Sequence, residues 1–161
     1  DDEGRVWIGT NDNGLSLCIN EKVRNGVDRK VGLPSNSVRS ITADAYGYYY
    51  IGTSDALQIM ELNGGLKMCE TISDIVYAHD LSADKSGHVA AVTYAGELFL
   101  LQNRKIIRKE ISSDHSSIYK CSIFAEKSGQ TGKDFPRGIL QFFKRRIKHH
   151  NITTFRSFIK S

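Results

Sequence analysis

The 161 residues are enough for one ordinary domain with its own core, and a content of 40% hydrophobic and 25% charged residues is that of a soluble globular protein. The net charge of +4 is unevenly placed: residues 130–161 carry eight basic side chains against Asp134 alone, a balance of +7, which leaves −3 for residues 1–129. A basic excess confined to the tail removes the main support for nucleic-acid binding by the whole chain, and no apolar run approaches the roughly 20 residues that a membrane helix needs.

In chain order, Asp1-Asp2-Glu3-Gly4 reads as the middle of a hairpin. The chain is therefore expected to be a piece that has lost its start, and its lack of a leader says nothing about location. Residues 5–10 and 15–20 predict strands, with a loose further strand over 23–31. Residues 38–43 are short and β-branched, as a strand should be. Asp44-x-x-Gly47 then predicts a tight hairpin: the Asp accepts a hydrogen bond from the backbone two residues on, and the Gly takes a positive φ. Residues 48–53 return, Ser54-Asp55-Ala56 turns the chain, residues 57–61 alternate apolar and polar, and Asn63-Gly64-Gly65 turns again into a fourth strand over 66–71. A second complete unit runs over 77–111, with outer strands at 97–102 and 105–111. Residues 119–124 begin another unit, whose turn is Glu126-x-x-Gly129.

These units are one repeat. The turn glycines fall at 4, 47, 87 and 129, at spacings of 43, 40 and 42, and a threonine follows six residues after the first three of them, at Thr10, Thr53 and Thr93. Four antiparallel strands in about 42 residues is the size of a propeller blade. The predicted fold is all-β: a partial β-propeller over 1–129, with blade one from residue 1, blade two at 38–71, blade three at 77–111 and a broken blade four at 119–129. The glycine before the threonine suits a face that packs closely on its neighbour. Trp7 and Tyr50, each three residues after a turn glycine, read as packing between blades, where blade three carries Ala90 and Ala91. Cys18, Cys69 and Cys121 lie about fifty residues apart with no metal-ligand spacing, and read as small apolar strand residues.

The run from Asp1 through Trp7-Ile8-Gly9-Thr10 to Leu15, together with Gly32-Leu33-Pro34-Ser35-Asn36-Ser37-Val38, resembles the two-component regulator propeller repeat. The resemblance covers residues 1–129, most closely over the first two blades. It implies an extracytoplasmic sensor propeller of a bacterial signal-transduction protein, periplasmic or at the cell surface. Such a propeller binds small-molecule ligands, carbohydrates among them, and works with further blades and a downstream membrane and signalling module. Two complete blades close no ring, so the chain alone is expected to expose strand edges and bare apolar faces and to be poorly stable.

Residues 130–161 depart from the repeat. Pro136 followed by Ile139, Leu140, Phe142, Phe143 and Ile147 among basic residues has loosely helical spacing. One reading is a basic amphipathic helix contacting an anionic membrane or nucleic acid; the other is a frameshifted or foreign end. His149-His150 lack further ligands at metal spacing.

No catalytic constellation, metal site or cofactor motif emerges, and the chain is read as a non-enzyme. Asp12, in Asn11-Asp12-Asn13-Gly14, lacks the bidentate Glu of a calcium loop and reads as a turn. Propeller geometry places residues 11–14, 54–56 and 93–96 on one face with the interblade segments 32–37 and 72–77. Arg39, Asp55 and His79, on or beside that face, are the candidate ligand-binding residues. A propeller lyase would need clustered His and Glu, which His79 and His88 do not form. An interaction scaffold of the WD-repeat kind would show Gly-His and Trp-Asp pairs in each blade; Gly-His occurs once, at Gly87-His88, and Trp-Asp does not occur.

Overall fold

Each repeat lays down one antiparallel sheet. The protein's structure, a computed structural model, describes residues 4–63, 65–111, 118–125, 138–144 and 153–158. Blade one is β1 (Val6–Gly9), β2 (Leu15–Ile19) and β3 (Lys22–Val27). Blade two is β4 (Val38–Ala43), β5 (Tyr48–Thr53), β6 (Leu57–Leu62) and β7 (Leu66–Ile72). Blade three is β8 (Ala78–Ala83), β9 (His88–Thr93), β10 (Glu97–Gln102) and β11 (Lys105–Ile111). A three-stranded sheet follows: β12 (Ile118–Ala125), β13 (Gly138–Lys144) and β14 (Thr153–Phe158). In every sheet the strands lie in sequence order. The first strands stand side by side, β4 against β8 and β8 against β12, as in a propeller.

At its described residues the tail does not form the helix of the first of the two readings. Ile139, Leu140, Phe142 and Phe143 belong to β13, which pairs with both β12 and β14 in registers that set Ile123 opposite Leu140 and Phe142 opposite Phe155. Loose helical spacing on an isolated segment must overcome costly nucleation, whereas the edge of β12 offers a ready ladder of donors and acceptors. The turn at 126–129, Pro136, Ile147 and the His149-His150 pair lie outside the described residues.

The Asp-x-x-Gly turns work as their chemistry dictates. Asp44 Oδ1 accepts from the backbone N–H of Tyr46 at 2.8 Å and of Tyr48 at 3.0 Å, and Asp84 Oδ1 accepts from Ser86 at 2.8 Å and His88 at 2.9 Å. The second carboxylate oxygen takes a side chain in each blade, the Tyr50 hydroxyl at 3.1 Å and His88 Nδ1 at 2.9 Å. Gly47 and Gly87 close these turns at φ of 87° and 80°, where an L side chain is strained.

Successive residues of β5 point to opposite blades. Tyr49 and Ile51, with Met60, join the cluster shared with blade one, in which Leu15, Val27, Leu33 and Val38 are buried and Trp7 is packed. Tyr50, with Leu57 and Ile59, joins the cluster shared with blade three, which includes Ala78, Leu81, Val89, Ala91, Phe99 and Leu101. Burying Leu57, Ile59, Phe99 and Leu101 contributes about 1.5–3 kcal/mol each. The blade contacts continue outward: the Arg5 guanidinium donates to the Tyr49 hydroxyl at 3.0 Å, Trp7 lies 5.0 Å from the Tyr49 ring, and Arg104 lies 4.7 Å over the Tyr48 ring. On the face of blade one turned away from blade two, Val6, Ile8 and Val23 are exposed.

The glycine before the threonine is a close-approach position. A Cβ on Gly9 would meet Val38 Cγ1 at 2.6 Å, and one on Gly52 would collide with the Ser40 hydroxyl and with the backbone oxygen of Ala78 on the next blade. Gly52→Ala is therefore expected to destabilise the protein by about 1–3 kcal/mol, because backbone cannot move aside as a flexible side chain can; urea unfolding measures it.

Tyr50 is 1% exposed, and burial first, then the neighbouring Asp44 charge and its hydrogen bond, push the phenol's ionisation well above its ordinary value near 10. A raised pKa in the folded state means that the native protein holds this proton longer than the unfolded chain. The stabilisation is then fully present below pH 10 and is lost as pH rises above it. Denaturation measured from pH 8 to 11 is expected to show a decline in stability that is shallower in Tyr50→Phe.

Candidate ligand-binding face

The second half of the repeat motif builds the opposite end of the blades. At the turn between β5 and β6, Thr53 Oγ1 donates to the Ala56 carbonyl at 2.7 Å and accepts from the N–H groups of Asp55 at 3.3 Å and Ala56 at 3.2 Å. Thr10 does the same in blade one, donating to the Gly14 carbonyl and accepting from Asn13 N–H, each at 2.9 Å. In blade three Thr93 Oγ1 accepts from Glu97 N–H and donates to its carboxylate, each at 3.2 Å. A threonine at this place locks the loop without help from the loop's own side chains, which leaves those free to vary.

The interblade segment is tied to the same end. Leu33 plugs the core between blades one and two. Asn36 Oδ1 accepts from Arg29 N–H at 2.8 Å, and the Asn36 carbonyl accepts from Gly14 N–H at 2.8 Å. The Ser37 hydroxyl donates to Asn11 Oδ1 at 3.2 Å, and Val38 N–H donates to the Thr10 carbonyl at 2.8 Å. Residues 11–14 and 32–37 thus form one bonded surface, within which Asp12 accepts from the Asn13 amide at 3.0 Å as part of the turn.

Arg39 and His79 occupy equivalent positions. Each is the second residue of its blade's first strand, and each falls at a break in register: Val38 pairs with Thr53 but Ser40 with Gly52, and Ala78 with Thr93 but Asp80 with Val92. The same break recurs between Ile118 and Lys120 in β12. A bulge adds one residue to a strand and re-aims its side chain. Here two successive blades use it to set a polar residue at the same height.

Two tyrosines join them. The Arg39 guanidinium lies 4.5 Å from the centre of the Tyr77 ring, and Arg39 Nε donates to the Ser54 hydroxyl at 3.3 Å. Tyr77 meets Tyr94 edge-to-face at 5.1 Å, and Tyr94 meets His79 in the same way at 5.3 Å. Tyr94 is 70% exposed. Tyr77 holds a left-handed φ of 57°, where a bulky residue costs about 1–3 kcal/mol, and its carbonyl accepts from Tyr94 N–H at 3.2 Å.

Of the three sequence candidates, the structure gathers Arg39 and His79 through this aromatic pair, while Asp55 turns away to Arg29 at 3.8 Å, both side chains being more than half exposed. Reading the sequence missed Tyr77 and Tyr94. The available signal was that each stands where the preceding blade has a serine, Ser37 and Ser54, so that a large ring replaces a small polar residue at a turn.

The two kinds of polar contact at this end differ in weight. Thr53→Val leaves two loop N–H groups without their acceptor and is expected to cost about 1–3 kcal/mol. Asp55→Ala breaks only an exposed ion pair and is expected to cost less than about 1 kcal/mol. Urea titrations of the two variants side by side check the difference.

The comparisons with known proteins agree with this architecture. The family described as two component regulator propeller matches residues 32–55, so the chain carries that repeat across the interblade segment, β4 and β5. The extracellular domain of a hybrid two-component system from B. thetaiotaomicron is similar in fold, with a TM-score of 0.63 and 17% identity over 96% of this chain. The chain spans 22% of that domain's length. The β-propeller domain of Cps50 (Swd1) from Myceliophteria thermophila is more distant, at 12% identity and a TM-score of 0.47 over 75% of this chain and 38% of its own. No curated protein matches the sequence.

Proposed function

We propose that this chain is part of a ligand-sensing propeller that works outside the cytoplasm in a bacterial signal-transduction protein. It binds a small molecule of the carbohydrate class and carries out no catalysis of its own. The observation that carries the reading is the cluster of Arg39, Tyr77, His79 and Tyr94: a cation, two rings and an imidazole drawn from two blades, packed against one another and open to solvent at Tyr94. An exposed aromatic ring held by edge-to-face partners suits the apolar face of a sugar ring. The similarity to an extracellular domain of a hybrid two-component system supports the location and the signalling context. Further blades and a downstream membrane and signalling module are the partners that this role requires.

Sensing is favoured over a lyase because the two histidines of blade three sit at opposite ends of the β8–β9 hairpin. His79 stands beside the strand end where Ala78 pairs with Thr93, and His88 at the turn end. At about 3.3 Å per residue they are roughly 16 Å apart, and His88 is occupied by Asp84.

Isothermal titration of the protein against a panel of neutral and acidic oligosaccharides tests the proposal. At least one is expected to bind, with affinity reduced about tenfold or more in Tyr94→Ala, which removes a ring that is 70% exposed. A panel without any binder, or a binder indifferent to Tyr94→Ala, would sink it.

A further inference from the structure

The geometry points to an anionic sugar as the ligand of this face, a ring bearing a carboxylate or a sulfate, with Arg39 as the residue that selects for the negative charge. This rests on the sensor reading above and narrows it.

Arg39 is exposed, and its charge is not neutralised within the described part of the protein. The loop acid Asp55 stands one residue from Arg39's own partner Ser54 but pairs with Arg29. Arg39 spends one donor, Nε, on the Ser54 hydroxyl, and the Tyr77 ring holds its planar head from one side. Among the described residues its two terminal nitrogens make no hydrogen bond, which leaves a guanidinium fork already oriented for two parallel bonds to a carboxylate or sulfate. Orientation before binding matters, since a long side chain ordered only on binding loses rotamer freedom at that moment.

The ring half of the ligand follows from Tyr94. It stands edge-to-face with both Tyr77 and His79, and it exposes 70% of its surface. An exposed aromatic ring, linked through Tyr77 to a cation that no described acid neutralises, matches a molecule having both a ring and an anionic group. The cation comes from the bulge of β4, while the rings come from the start of blade three and the loop after β9. Selection therefore depends on two blades being correctly apposed, and neither blade alone presents it.

Calorimetry with three probes at low and at physiological salt tests the inference: a galacturonate tetrasaccharide, a sulfated carrageenan tetrasaccharide and neutral β-1,4-galactotetraose. At least one acidic probe is expected to bind about tenfold more tightly than the neutral one, with an advantage that shrinks as salt rises. Arg39→Gln is expected to abolish the advantage, and Tyr94→Ala to weaken all binders alike. Whichever acidic probe is preferred identifies the anion as carboxylate or sulfate. Should Arg39→Gln fail to fold, Arg39→Lys keeps the charge but not the fork and is expected to lose most of the preference. Neutral binding as tight as acidic, or a preference that survives both substitutions, overturns the anionic inference and leaves the sensor reading intact. Silence from all three probes overturns it too, and the sensor reading falls only if the wider panel is also silent.

Discussion

At Gly52 the backbone of β5 comes so near the first strand of the next blade that there is no room for a side chain. Its neighbours are the Ala78 carbonyl and the Ser40 hydroxyl, and that hydroxyl itself donates to the Ala78 carbonyl at 2.7 Å. A polar bond and a van der Waals limit at the same point fix the separation of blades two and three at their inner edge. The rest of the packing is drawn to that spacing. Tyr50 fits between the blades because its cluster includes the small residues Ala78 and Ala91, and a larger side chain there would overfill a gap whose width is already set.

The repeat closes each end of a blade with different chemistry. At one end an aspartate collects two backbone N–H groups and a neighbouring side chain, so the turn is satisfied internally. At the other a threonine fastens the loop to itself. Backbone groups in both places are paired by residues of the repeat rather than by those of the loop tips. Tips at the threonine end can therefore change from Asn and Ser to Tyr without unfolding the blade, and variable residues on a rigid scaffold are where binding is expected.

Strain is placed with the same economy. Tyr77 adopts a left-handed backbone at the point where the interblade segment enters β8, and the bulge follows two residues on. Both deviations turn side chains out of the ladder and toward the face that holds Tyr94. The cross-blade stack of Arg39 on Tyr77 is the result, and it ties the face that holds Tyr94 to the interface between blades. A ligand that bridges Arg39 and Tyr94 would favour the apposed state of blades two and three over a splayed one, since only that state presents both groups.

The β-strands, the tight turns and the blade count were legible in the residues because each is local. Alternation, β-branching and an aspartate three residues before a glycine act within a few positions, and the regular spacing repeats the message. The face was legible for the same reason, since strand order alone decides which loops share an end. The tail was not: the apolar residues around Ile139 fit either period, and the edge of β12 chose the strand. Nor was the cluster. Arg39 and Tyr77 are 38 positions apart, a bulge shifts register by one residue without marking the sequence, and nothing in the sequence marks Arg29 as the partner of Asp55. Sequence by itself determined the blades and which loops gather at the threonine end, through short-range hydrogen bonding and packing period. Only the tertiary structure decided which side chains meet there, because that depends on how closely two blades approach, a distance set by the missing side chain at Gly52.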